Sequence, residues 1–246
     1  MDKKTTDTII SLAARYETAD FLTSDPSRFM HMVEGDLNRE ATAFVASCLS
    51  YGSRKQFFPK IQHLLDCSSG EMHRWIESGA FMDDIDASDA CYYRLHTCRD
   101  LRLMMSAYRD MMLGYGHMKD FIRCHAVDGP GAIAALCRYF HEKGADAMVP
   151  RNTSSACKRV CMFLRWMVRD SSPVDLGLWA DIIDKRSLIM PLDVHVTREA
   201  AALGLISGSS ASMSTAHKLT AAMLEIFPDD PLKGDFALFG YGVNKK

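Results

Sequence analysis

The stretch Met190-Pro191-Leu192-Asp193-Val194-His195-Val196-Thr197-Arg198 combines a proline, a carboxylate, an imidazole and a guanidinium within nine positions. Proline fixes the backbone where a helix starts, which puts Asp193 near that helix's N-terminus. The unpaired backbone N–H groups and the helix dipole there favour an ionised carboxylate. The local pattern alone allows two roles for Asp193: a helix cap, the commoner one, or a charged group available for chemistry. Asp193 with His195, or His96 with Asp100, brings two metal-ligand types together, but neither pair has the further ligands of a metal site. His195 reads as a hydrogen-bonded histidine. Upstream, Lys158 and Cys161 lie one turn apart on one helical face, so both can approach one pocket. Lys158 is equally readable as a solvated lysine. Arg151, Lys158, Arg159, Arg165 and Arg169 concentrate positive charge in one short region suited to phosphate contact. The same residues can instead pair with acids such as Asp170 and Asp175 or, for Arg165, serve packing. No nucleophile-elbow motif and no phosphate-binding P-loop is present.

The elements that must position these groups read as helical nearly throughout, because apolar residues recur at helical spacing and strict alternation is scarce. Helices are predicted over Asp7–Tyr16, from the Ser24-Asp25-Pro26 start signal onward, and over Asn38–Tyr51, where Ala41, Phe44, Val45, Cys48 and Leu49 form one stripe. Gly52 and Ser53 break that helix, and Phe57, Ile61, Leu64 and Leu65 mark the next. Further helices are expected over Met72–Glu77, Asp100–Leu113, Met118–Cys124 and Gly131–His141. Phe81–Tyr92 reads as an acidic loop. Gly114-Tyr115-Gly116 stops a helix. After a polar connection, Ser154 or Ser155 is expected to cap a helix over Ala156–Arg169. Val174–Leu188 is irregular. Pro191 opens a helix through about Leu203 with Gly204 as its cap, and Thr215–Ile226 and Asp235–Phe239 follow.

The chain has 246 residues, 48% of them hydrophobic and 24% charged. That is long enough for one large domain or two closely packed lobes. The absence of a long apolar run or signal-peptide pattern predicts a cytoplasmic protein with no membrane partner. The eight cysteines include no Cys-x-x-Cys pair. They read as free thiols packed as small hydrophobes, and no metal or other cofactor is expected. The net charge of −2 means that a nucleic-acid partner must be met by local positive charge. No obligate protein partner is evident.

Pro191-Leu192-Asp193-Val194-His195-Val196, followed by Arg198 and Leu203-Gly204-Leu205, resembles the Pro-Val-Asp-x-His…Arg…Leu-Gly-Leu segment of the helix-hairpin-helix DNA glycosylases. That superfamily includes endonuclease III and 8-oxoguanine DNA glycosylase. Phe44-Val45-Ala46-Ser47-Cys48-Leu49-Ser50-Tyr51 is similar to the family's early helix, and Asp235-Phe236-Ala237-Leu238-Phe239-Gly240 to its last core helix. The matches occur in family order, and the whole chain resembles a bacterial branch of that superfamily. The resemblance implies an all-α fold, a bilobal helical bundle over residues 1–246 with two interleaved lobes and a cleft between them. It implies base excision from DNA, with Asp193 at the position of the catalytic aspartate. Glycosylases that also cut the strand carry a lysine where Lys158 falls; alignment to the archaeal 8-oxoguanine enzymes places Cys161 there instead. Cys161 and His195 are candidates for the pocket, Ser154 and Ser155 can hold a phosphate at the helix start in place of the family's hairpin glycines, and the local basic cluster makes Arg159, Arg165 and Arg169 candidate contacts to DNA. The family's Leu-Pro-Gly-Val-Gly hairpin is replaced by Arg151-Asn152-Thr153-Ser154-Ser155-Ala156, which holds no glycine. Gly52 stands where endonuclease III has the glutamine that fills the duplex gap, which leaves Tyr51 as the gap-filling candidate. A non-catalytic nucleic-acid-binding protein that retains this fold is the alternative, and an enzyme on RNA or free nucleosides is a third reading.

Overall fold

The structure is a computed structural model that describes residues 2–207 and 210–244. It divides into two compact units that interleave in sequence. The first unit comprises Met1–Thr23, Asp128–Ile133 and Thr153–Lys246; the second comprises Ser24–Val127 and Ala134–Asn152. Helix α1 (Lys3–Tyr16) belongs to the first. The second holds α2 (Asp36–Leu49), α3 (Arg54–Cys67), α4 (Met72–Ser78) and the short α5 (Phe81–Asp84). There follow the antiparallel strands β1 (Cys91–Tyr93) and β2 (His96–Thr97), then α6 (Cys98–Tyr115) and α7 (Met118–His125). Helix α8 (Gly129–Glu142) starts in the first unit and continues in the second. The first unit then resumes with α9 (Lys158–Val168), α10 (Val194–Ala202), α11 (Met213–Ile226) and α12 (Lys233–Asn244). The protein is thus predominantly helical. No helix among the described residues is long and apolar enough to cross a membrane.

In the first unit α12 packs along α1 and α10. Gly240 makes the α1 contact possible, since a Cβ there would clash with the ring and Cβ of Tyr16. Every residue of α9 from Val160 to Val168 is buried, and Phe163 meets Trp179 edge-on at 5.2 Å between ring centres. The irregular 174–188 segment is therefore anchored by an aromatic pair. It also bonds to the backbone of α9, with Trp179 N–H donating to Met167 O at 2.7 Å. Helix α11 is capped by Ser212, whose hydroxyl accepts from Thr215 N–H.

In the second unit Phe44 of α2 stands 5.0 Å from both Tyr108 and Phe140. The buried Glu40 accepts from Tyr108 Oη at 3.3 Å and from Met118 N–H at 3.0 Å, tying α2 to α6 and to the start of α7. Asp100, weighed above as a metal ligand, instead completes a capping box with Thr97.

The expected acidic loop at Phe81–Tyr92 contains α5 and leads into β1. Tertiary contacts supply the order that its composition lacks: Trp75 Nε1 donates to Asp84 at 2.7 Å, and Arg102 bonds the carbonyls of Met82 and Ile85. Helix α9 starts at Lys158 rather than Ala156, because Cys157 adopts a left-handed conformation, φ 45°. Neither Ser154 nor Ser155 caps it in the expected way. Ser155 bridges to Ser212, and its hydroxyl lies 3.4 Å from Cys157 N–H. All eight cysteines are free thiols.

Candidate functional site

Pro191 and Leu192 are both buried and deliver the chain to Asp193 in an extended conformation, φ −125° and ψ −176°. Asp193 is the N-cap of α10, as its position predicts: Oδ1 accepts from Val196 N–H at 2.9 Å. Thr197 Oγ1 donates back to Asp193 O at 2.6 Å, so the first turn of α10 fixes both backbone and side chain. This use of one oxygen leaves Oδ2 to accept from Lys158 Nζ at 3.0 Å. The cap and the charged partner are therefore not alternatives. One carboxylate fulfils both roles, with one oxygen each.

Lys158 is the first residue of α9, so its stem leaves the helix where no preceding turn crowds it. Its side chain is 33% exposed and that of Asp193 is 14% exposed. Lys158 is the more accessible partner, so water or a ligand reaches the pair from its side, while the more buried Asp193 depends on its partners for the stability of its charge. Lys158 Nζ also lies 5.9 Å from the centre of the Phe239 ring on α12. His195 stands edge-on to the same ring at 6.4 Å. Its Nδ1 is buried, and among the described residues it has no hydrogen-bond partner. Gly242 lies beside it, with room for a Cβ only 3.3 Å from His195 Cβ. An amine, a carboxylate, an imidazole and an aromatic face thus converge within the first unit. A pocket of about 350 Å³, lined by Val168, Asp170, Ile183 and Lys185 among others, contains neither Lys158 nor Asp193. Among the described residues no group of three or more His, Cys, Asp or Glu is placed to hold a metal ion.

Arg165 and Arg169 require a correction. Read from the sequence as DNA contacts, they are 3% and 1% exposed. Arg165 bonds Asp175 at 3.1 Å and also Asp235. Arg169 bonds Asp175, Asp230 at 2.7 Å and Glu17 at 2.6 Å. Phe236 covers both guanidinium groups, at 4.5 and 5.1 Å from its ring centre. The helical spacing that aligns these arginines with Lys158 is real, but α9 is buried along that face. Asp175, already a possible partner from its position in sequence, lies at the centre of the network. Four carboxylates share two guanidiniums here, which leaves a surplus of negative charge. Burial accordingly pushes Asp235 up to about 6, against the pull of Arg165 and with a smaller push from Asp193.

Cys161 is likewise corrected. It is buried, its Sγ donates to Ala156 O at 3.5 Å, and burial raises its thiol far above the ordinary range. It lies one turn from Lys158 but faces the core, where a thiolate nucleophile does not form. Ser154 and Ser155 are exposed and Arg159 is half-buried, so all three remain at the surface near the start of α9. Tyr51 lies in the second unit, half-buried, with its hydroxyl donating to Tyr93 O at 3.2 Å. Phe239 and Asp235 were not singled out as site residues. They lie one turn apart on α12, with Phe239 beside Lys158 and Asp235 bonded to Arg165, and these contacts join segments too distant in sequence for a local signal to announce them.

No curated protein and no solved structure matches the chain. Residues 25–244, which include Lys158, Asp193, His195 and Phe239, match the family described as Protein of unknown function (DUF2400). The chain belongs to that family.

Proposed function

We propose that the protein is a DNA N-glycosylase that extrudes a damaged base and cleaves its glycosidic bond, with Asp193 and Lys158 as the reacting pair. The observation that carries this reading is the 3.0 Å approach of Lys158 Nζ to Asp193 Oδ2 across 35 residues of sequence. The glycosidic bond is hidden in a duplex, so the nucleotide must leave the stack, and a lesion leaves at least cost. As the C1′–N bond lengthens, positive charge grows on the sugar and the base departs with the bonding electrons. In this reading a carboxylate fixed by Val196 N–H, with its second oxygen held by Lys158, stabilises that charge.

Lys158 gives the reaction its second stage. Its amine, once it has passed a proton to solvent or to the departing base, attacks C1′. Ring opening then yields a Schiff base, and loss of a proton from C2′ expels the 3′ phosphate. Water in place of the amine gives base release alone. The exposed Ser154 and Ser155 and the half-buried Arg159, at the start of the same helix, supply phosphate contacts in this reading.

Borohydride reduction during turnover of lesion-bearing duplexes tests the lysine. A covalent protein–DNA adduct is expected with the wild type and not with Lys158→Ala. Base release without any adduct removes the lyase stage and keeps the hydrolytic one. Duplex binding without base release across a lesion panel supports a non-catalytic binding protein.

A further inference from the structure

Asp235 joins the buried charge network to the Lys158–Asp193 pair. Its carboxylate accepts from Arg165 Nη1 and is buried. Helices α9 and α12 pass each other here in opposite senses. Arg165 meets Asp235 and Phe236, while Lys158, two turns earlier on α9, meets Phe239, one turn later on α12. Asp235 therefore feels both members of the pair: the charge of Asp193 disfavours its ionised form and that of Lys158 favours it. Among the described residues, the other elements meet α12 mainly through uncharged groups. Helix α11 meets its start through Met223 at Gly234, and the 3-10 helix Ala19–Ser24 brings Phe21 against Phe236 and Phe239. Tyr16 of α1 lies at Gly240, and Arg198 and Glu199 of α10 pair with each other near Gly242. The other titratable neighbours are Cys161 of α9 and His195 of α10.

Pair and network together set five carboxyls, Glu17, Asp175, Asp193, Asp230 and Asp235, against the three cations Lys158, Arg165 and Arg169. A buried cluster with such an excess of acid takes up a proton where a carboxylate is least supported. Asp175 accepts from two guanidiniums and Asp235 from one, so Asp235 is the better acceptor, in keeping with its raised carboxyl. The attraction between Lys158 and Asp235 is reciprocal: the carboxylate favours the ammonium as much as the ammonium favours the carboxylate. When Lys158 gives up its proton, Asp235 loses that support and a proton from solvent neutralises it.

Resting on the reading of Lys158 as the reacting amine, we propose that Asp235 is a positioning residue whose charge, held beside the pair by Arg165, governs whether Lys158 stands as an ammonium bound to Asp193 or as a free amine that attacks C1′. Ionised, Asp235 holds the ammonium. Protonated, it releases the amine. The supply of free amine at Lys158 therefore rises less steeply with pH than that of an isolated lysine while Asp235 titrates.

Trace acetylation of the full chain by acetic anhydride tests this without nucleic acid, because only the unprotonated amine is acylated. Mass spectrometry reads the labelling of Lys158 relative to the exposed Lys3. In the wild type this ratio is expected to fall about threefold between about pH 5 and 7, the worth of one partly screened charge pair. In Asp235→Asn it is expected to stay flat at the low-pH value of the wild type. A histidine titrates in the same interval, so His195→Gln is the control and is expected to keep the fall. A flat wild-type ratio overturns the inference, and decides it even if a variant fails to fold. So does a fall that Asp235→Asn keeps or that His195→Gln abolishes. A flat ratio with base release intact removes this inference alone. The expected fall without base release from any lesion-bearing duplex removes the glycosylase reading and leaves the charge coupling of Asp235 to Lys158.

Discussion

Asp193 illustrates why an aspartate that only caps and one that also pairs with a lysine cannot be told apart by sequence position. The features that make a good cap also aim the second oxygen at Lys158. The arginines of α9 teach the opposite lesson. Arg165 and Arg169 share a helical stripe with Lys158, yet one end of that stripe reaches solvent and the other is buried among Glu17, Asp175, Asp230 and Asp235. Only Asp175 is close enough in sequence to announce this; the others arrive from distant segments. Removing one partner from such a network leaves uncompensated buried charge, so Arg169→Ala is expected to cost about 3–5 kcal/mol in chemical denaturation. Lys185→Ala, which breaks the exposed contact with Asp170, is expected to cost under about 1 kcal/mol. Asp235 adds a pH dependence. Its carboxyl titrates near 3.8 when unfolded and about 6 when folded. Its contribution to stability is therefore complete below pH about 4 and falls away as pH rises through about 6, by about 3 kcal/mol in all. The stability advantage of wild type over Asp235→Asn is expected to be larger at pH 4 than at pH 7. Equal differences at the two values contradict the raised carboxyl.

Helix existence was legible over most of the chain because the apolar spacing is regular: the predicted segments fall on α1 to α12 apart from the short α5, except that the Ser24-Asp25-Pro26 signal opens a 3-10 helix, Pro26–His31, capped by Asp25. What was not legible is where tertiary contacts override local signals. The β1–β2 hairpin holds too few residues for alternation to register, and it depends on Tyr51, more than 40 positions away. The start of α9 was misplaced because the serines look like caps, whereas the chain turns at Cys157. The glycine of α12, by contrast, has a reason that its sequence position hides. Gly240 allows α12 to lie against Tyr16 of α1, and a methyl group there meets ring atoms with no free space. Gly240→Ala is expected to lower stability by about 1–3 kcal/mol through overpacking, despite alanine's better helix propensity. Since α12 also carries Phe239, the same substitution is expected to displace the aromatic face beside Lys158. A thermal unfolding midpoint equal to or above that of the wild type contradicts this packing account.

At the scale of the molecule, two helical units interleave in one chain, and the first holds the Lys158–Asp193 pair. Composition does not by itself point to the nucleic-acid partner that we propose, since 29 basic residues face 31 acidic ones. The structure accounts for part of that balance by burying Arg165 and Arg169 with acids. The remaining basic residues are spread over both units: Lys158 and Arg159 lie at the start of α9, and Lys3, Arg15, Arg94, Arg99, Arg123 and Lys143 are among the exposed ones. The central claim is that the Asp193 carboxylate drives base release. Asparagine caps a helix about as well as aspartate, so Asp193→Asn separates chemistry from folding. The most direct measurement is single-turnover base release from a panel of lesion-bearing duplexes by wild type and Asp193→Asn at matched unfolding temperature and matched duplex affinity. The account predicts release by the wild type and a loss of at least about a hundredfold in the variant. Equal release by both proteins contradicts it.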